Sequence, residues 1–239
     1  MKLTILETGL PPEPLRADWP TYPVMFEHLI SAVDDGFSYE TVSIVSGEPF
    51  PDPHTLEGVI HTGSAFGVYD DVEWMPQLLD FIRDAAAAKV PQFGICFGHQ
   101  AMAEALGGRA EKSDKGWGLG RHEYATPFRP DWMATGPETF TLAVSHQDQV
   151  TAIPEGAKVT ARSDFCEYAG LVYGCSPSAS FQGHPEFDAD FCSALHESRR
   201  ARIGDELVDA ALGSFAKPLT RSVVALWMAD FFKANARAR

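Results

Sequence analysis

VPQFGICFGHQ, residues 90–100, reads as an apolar strand that turns at once into a helix, with the turn at Cys96. Glycines stand two residues before and two residues after that cysteine, at positions 94 and 98. The layout is that of a nucleophile elbow, in which a sharp strand-to-helix turn lifts one side chain clear of the sheet. A Cβ at either glycine would collide with a neighbouring strand or force an unfavourable backbone angle. The segment HQAMAEALGG at 99–108 then continues as a helix stopped by its two glycines. Cys96 therefore stands at a helix N-terminus, where unpaired amides and the helix dipole favour negative charge on sulfur. A free cysteine is ordinarily a small core residue. The flanking glycines point instead to a nucleophile activated for covalent catalysis.

Working outward from this turn, strand and helix patterns alternate through the first half of the chain, as expected for a parallel sheet covered by helices. LTIL at 3–6, TVSIVS at 41–46 and a short run within LEGVIHTGS at 56–64 are predicted strands. MFEHLISAV at 25–33 is a predicted helix, and 72–89 places Trp74, Leu78, Phe81, Ile82 and Ala85 at helical spacing. The helix after Cys96 is expected from Gln100 to Leu106. From about 109 to 187 the pattern turns β-rich, with TFTLAVSH, AKVTARSDF, CEYAGLVYG and SASFQGH as strands. The tail is helical, with an apolar stripe at Val224, Trp227, Met228 and Phe231.

Composition limits what such a protein can be. The chain has 239 residues, 45% of them hydrophobic, and a formal net charge of −14. Its one Lys/Arg cluster is RRAR at 199–202, too little basic surface for a nucleic-acid partner. MKLTILETG reads as a first strand rather than a signal peptide, and no run approaches 18 apolar residues. A soluble, cytoplasmic protein is expected. Cys96, Cys166, Cys175 and Cys192 show no CxxC spacing, and free thiols are expected in a reducing compartment. No histidine pair has metal-ligand spacing. GWGLG at 116–120 resembles half of a glycine fingerprint, but no strand–helix pattern follows it.

A thiolate attacking an amide needs a base that also protonates the leaving amine, and a group that orients that base. GHPEF at 183–187 holds both. Pro185 pushes His184 toward extended geometry, so Glu186, two residues on, points to the same side and approaches the imidazole. A tetrahedral intermediate also needs donors for its oxyanion. The backbone amides of Phe97 and of Gly63, in the HTGS loop after the third strand, are the candidates. Gln100 lies one helical turn after Cys96 and on the same face, where its amide can recognise a small polar substrate. SHQDQV at 145–150 reads as the end of a strand and a polar loop, in which Asp148 or backbone carbonyls can meet an ammonium group. A solvated loop is the plainer reading of those residues.

Taken in order, TGS, GICFGHQ, SHQD and GHPE resemble the class I glutamine amidotransferases, especially the amidotransferase domain of GMP synthase and its free-standing relatives. The resemblance covers roughly residues 40–190, and the SAFGVYDD run at 64–71 is similar to the free-standing members. It implies a flavodoxin-like, three-layer α/β sandwich with a mostly parallel central sheet, here with a helical C-terminal extension. One domain over 1–239 is expected, with its core at about 1–190 and the extension at about 191–239. It also implies a Cys96, His184, Glu186 triad, an oxyanion hole at Gly63 and Phe97, and glutamine contacts from Gln100, Ser145, His146, Gln147 and Asp148. The implied reaction is hydrolysis of the glutamine γ-amide through a cysteinyl thioester, with no metal or organic cofactor. Because the sequence ends where a fused member would continue into a synthetase domain, a separate synthetase or acceptor subunit is a possible partner. The nearest alternative is a γ-glutamyl peptide hydrolase with the same triad. A non-catalytic, partner-binding subunit is a second alternative, but such a subunit has no need of an intact Cys, His and Glu.

Overall fold

The computed structural model describes residues 1–236. The first half alternates β1 (Lys2–Glu7), α1 (Tyr22–Ser31), β2 (Ser38–Ser43), β3 (Gly58–His61), α2 (Met75–Ala87), β4 (Gln92–Ile95) and α3 (Phe97–Ala105). β5 (Arg109–Lys112), β6 (Gly118–Ala125), β7 (Thr139–His146), β8 (Asp148–Ala152), β9 (Lys158–Ala161), β10 (Gly170–Tyr173) and β11 (Ser178–Phe181) follow. Among the described residues, four helices follow: α4 (Ala189–Ser198), α5 (Arg200–Ile203), α6 (Asp205–Ser214) and α7 (Arg221–Ala234).

Seven strands form the central sheet in the order β2-β1-β3-β4-β11-β10-β9. The pairs from β2 to β11 are parallel, and β10 is antiparallel to both of its neighbours. The central strands are apolar on both faces, as a doubly covered sheet requires. Leu3, Ile5, Ile60, Phe93 and Ile95 pack on one face against α1 and α7. Leu6 and Val59 pack on the other, against Leu78, Phe81 and Ile82 of α2 and Phe97 and Ala101 of α3. This is the three-layer sandwich with a mostly parallel sheet that the motifs implied.

Several local expectations need correction. The strand predicted at 41–46 is Ser38–Ser43, because residues 44–46 coil into a 3-10 turn closed by Gly47 at φ 84°. Helix α2 starts at Met75, with Pro76 in its first turn, so 72–74 lie outside it. Helix α3 begins at Phe97, directly after the cysteine, rather than at Gln100. Strands β5, β6 and β8 had no counterpart among the predicted strands. GWGLG leads into β6, which pairs with β7 in a separate two-stranded ribbon. Asp148 is not in a loop: it opens β8, which pairs with β5.

The tail read as an extension is also a wall of the core. Val224, Trp227, Met228, Phe231 and Phe232 of α7 are buried in the same cluster as Phe93 and Phe181. Phe93 meets Phe181, Phe231, Phe232 and Trp132 at ring-centroid distances of 5.3–6.3 Å. Each such aromatic contributes on the order of 1.5–3 kcal/mol by leaving water. The same contacts hold the sheet rigid beneath the turn at Cys96. Residues 237–239 of the predicted extension lie outside the described residues.

Candidate active site

Three adjacent parallel strands, β3, β4 and β11, converge on the site at their C-terminal ends, where open α/β sheets gather their reactive groups. Cys96 follows β4 directly, Gly63 lies just past β3 and His184 just past β11. Cys96 adopts φ 53° and ψ −104°. A positive φ in a residue with a Cβ carries on the order of 1–3 kcal/mol of strain, sustained only where the surroundings fix it. They do so here. A Cβ on Gly98 would stand 2.3 Å from the carbonyl oxygen of His61 on β3, and one on Gly94 would stand 2.6 Å from the Gly98 backbone. Strand and helix can meet this closely only with glycine at both positions.

His184 is positioned from several directions. Its backbone N–H donates to Ala143 O at 2.9 Å, fastening it to β7. Its ring lies flat on Phe187, with centroids 4.0 Å apart and planes within 5°. Nδ1 donates to Glu186 Oε1 at 2.6 Å, and the Cys96 side chain lies close enough to raise the proton affinity of the same imidazole. Arg221, at the start of α7, donates to the carbonyls of Pro185 and Glu186 at 2.7 and 2.9 Å. Both His184 and Glu186 are buried. Burial alone would push the His184 imidazolium down, but the charges of Glu186 and Cys96 outweigh it and raise it to about 10.

The sign of this shift gives a pH prediction. A proton held up to about pH 10 keeps His184 competent to protonate a leaving amine, and that competence is lost as pH rises through the raised value. Glu186→Gln removes the foremost raising influence and leaves burial, which lowers, opposed by Cys96 alone. The alkaline limb of the kcat/KM profile should therefore move down by about 1–3 pH units, the usual effect of losing an opposite charge. A limb unchanged in the variant would show that Glu186 does not set the proton affinity of His184.

Gly63 sits against both side chains: a Cβ there would stand 2.9 Å from His184 Cε1 and 3.7 Å from Cys96 Cβ. Phe97 is the first residue of α3, so its N–H faces out of the helix end. Among the described residues, neither the Gly63 nor the Phe97 N–H donates to a protein acceptor outside regular secondary structure.

A cleft of about 170 Å³ opens beside Cys96, walled by Gln100, Ser145, His146, Gln147 and Asp148 among others. The structure thus gathers every predicted substrate contact, with one change of emphasis. Gln100 Nε2 donates to Asp148 O at 2.8 Å and to Gln182 Oε1 at 3.2 Å, so its amide hydrogens brace β8. His146 Nδ1 lies 3.0 Å from the same carbonyl. Burial, with the neighbouring His122, pushes His146 down to about 3, and burial takes His99 to about 3 as well. Both are neutral imidazoles at ordinary pH, unlike His184.

Other residues at the site are ones to which the sequence reading assigns no role. Gln182 Nε2 lies 3.6 Å from Cys96 Sγ. Period-two alternation from His184 back along the chain was the available clue. Tyr69 donates its hydroxyl to Asp148 Oδ1 at 3.0 Å, tying the loop after Gly63 to β8. Trp117, Arg199 and Arg202 complete the cleft wall. They come from the discounted glycine segment and from the basic cluster that had been weighed only against nucleic acid. Among the described residues, no group of three His, Cys, Asp or Glu side chains is arranged to hold a metal ion.

Residues 56–190 match the family Glutamine amidotransferase class-I. The chain belongs to that family. It is 31% identical to gamma-glutamyl peptidase 4 of Arabidopsis thaliana over 167 residues, which are 66% of this chain and 65% of that protein. It is 36% identical to one subunit of the glutamine-hydrolyzing GMP synthase of Methanopyrus kandleri over 110 residues, 44% of this chain and 56% of that one. In both cases the match spans less than two thirds of the relative's length. In fold, it is similar to a glutamine amidotransferase from Thermotoga maritima, with TM-score 0.78 over 98% of both chains at 16% identity.

Proposed function

We propose that this protein hydrolyses the γ-amide of glutamine through a thioester on Cys96. The observation that carries the reading is the junction of a strained cysteine at a helix start with a histidine held by a buried glutamate. The Cys96 sulfur, its proton taken by His184, attacks the carbonyl carbon of the γ-amide. The negative charge that forms on oxygen is received by the N–H groups of Gly63 and Phe97, a type of contact worth about 3–4 kcal/mol per donor in related chemistry. The C–N bond breaks as His184 delivers its proton to the amine, and ammonia leaves. His184 then takes a proton from water, hydroxide adds to the thioester, and glutamate departs as the thiol re-forms. Glu186 fixes the imidazole tautomer and stabilises its positive charge throughout.

The proposed catalytic unit is the whole chain, with its core at about 1–190. No described helix is long and apolar enough to cross a membrane. The four free cysteines suit a reducing, cytoplasmic setting. A synthetase or acceptor subunit is the partner suggested by the similarity to a GMP synthase subunit.

A second reading, cleavage of γ-glutamyl peptides, is favoured by the resemblance to several proteins named gamma-glutamyl peptidase. The two readings share the γ-glutamyl head and differ only in the leaving amine. Measuring kcat/KM for glutamine and for a set of γ-glutamyl dipeptides, with purified protein and no partner, separates them. The primary reading expects slow glutamine turnover alone and no faster cleavage of dipeptides. Fast dipeptide cleavage with negligible ammonia release from glutamine would replace it with the peptidase.

A further inference from the structure

Arg199 and Arg202 line the Cys96 cleft but belong to no recognised motif, and both lie beyond the family match at 56–190. Arg199 follows α4 and Arg202 lies in α5, three residues apart, so they share one side of the chain as it coils. Arg200, between them, behaves differently: it is absent from the cleft wall and pairs with Glu197, Asp205 and Asp209. Glu197, Asp205 and Asp209 are thus drawn to Arg200, while the cleft's own carboxylates, Asp70 and Asp148, form no ion pair with either cleft arginine. Among the described residues, neither Arg199 nor Arg202 forms an ion pair with a carboxylate. Arg199 is half-buried and donates from Nη1 to Ser145 Oγ at 2.8 Å. Arg202 lies over the Trp117 ring, 4.7 Å from its centroid. Arg202 is exposed, but Arg199 is a cation held partly out of water without a counter-charge, which is costly, and an incoming anion relieves that cost.

The position of the cleft says which anion. The leaving amine must meet His184, which protonates it, and His184 is not part of the cleft wall. The cleft beside Cys96 is therefore the place of the acyl half, the glutamyl head with its α-carboxylate and α-ammonium groups. We propose that Arg199, seconded by Arg202 on Trp117, forms a carboxylate-reading wall that selects γ-glutamyl substrates by the α-carboxylate of the head. The inference rests on the reading of Cys96 as the nucleophile. It assigns specificity-determining residues that the motifs do not contain. Arginine suits the task because its planar fork can give two parallel hydrogen bonds to a carboxylate.

The test compares L-glutamine with 4-aminobutanamide, which is glutamine without its α-carboxylate. In Arg199→Gln the ratio of kcat/KM for L-glutamine to that for 4-aminobutanamide should fall roughly ten- to hundredfold, as for loss of a charge-assisted hydrogen bond. Arg202→Gln should produce a smaller fall in the same ratio, and Arg199→Lys should restore part of it. A merely structural arginine that braces Ser145 would lower both substrates alike and leave the ratio unchanged, which would overturn the proposal. Loss confined to γ-glutamylglycine, with γ-glutamyl methylamide and glutamine unaffected, would place the carboxylate in the leaving residue and overturn it too. A second measurement needs no turnover. Cys96 should be alkylated faster by iodoacetate, relative to the neutral iodoacetamide, in wild type than in Arg199→Gln, and an equal ratio in both would contradict the wall. Turnover that survives in Cys96→Ala would instead sink the underlying nucleophile reading, whatever the arginine variants do.

Discussion

Cys96→Ala should abolish release of ammonia from glutamine, a loss on the order of 10⁴–10⁶-fold, as when the nucleophile of a triad is removed. The fold should survive. The substitution removes only a sulfur from a position where the strained turn is set by the Gly94 and Gly98 contacts rather than by the side chain itself. An unchanged denaturation midpoint is the expected accompaniment, since alanine keeps the Cβ at the positive φ. Loss of activity together with gross unfolding would show instead that the thiol is a packing residue. The other three cysteines do not stand at this turn, and burial pushes the Cys166 thiol up to about 12. Alanine at 166, 175 or 192 should therefore leave turnover close to wild type.

His184→Asn should lower kcat by about 10⁴-fold or more, because both proton transfers pass through this one ring. The effect should exceed that of Glu186→Gln, which weakens orientation and charge stabilisation but keeps the base. His146→Asn is the informative control. His146 also lies beside the cleft, but burial and its neighbours hold it neutral, and its Nδ1 contacts Asp148 O. That variant should raise KM through the β8 wall more than it lowers kcat. A dead His146→Asn beside an active His184→Asn would reverse the roles of the two residues.

Contiguous motifs carry the parts of this site that are legible in the sequence. Steric need made Gly94 and Gly98 visible, since few other settings ask for two glycines around a cysteine between an apolar strand and a helix. The His184 and Glu186 pair was legible because proline between them fixes extended backbone, and period two does the rest. What stayed hidden depends on long-range register. Asp148 looked like loop because DQVTA carries little apolar signal, yet it pairs with β5 across the chain. Arg199 and Arg202 reach the cleft only through the packing of α4 and α5, and nothing in RRAR says which arginines face inward. The C-terminal helices looked like an appendix because their stripe names an apolar face and not its partner. That partner is the sheet itself, through Phe93 and Phe181.

The most direct measurement is the intact mass of the wild-type protein quenched in acid during glutamine turnover, followed by peptide mapping. An adduct of one glutamyl group carried by the peptide containing Cys96, absent from Cys96→Ala, is the expected result. An adduct on Cys166, Cys175 or Cys192, or undiminished ammonia release from Cys96→Ala with no adduct anywhere, would contradict a thioester at the strand-to-helix turn.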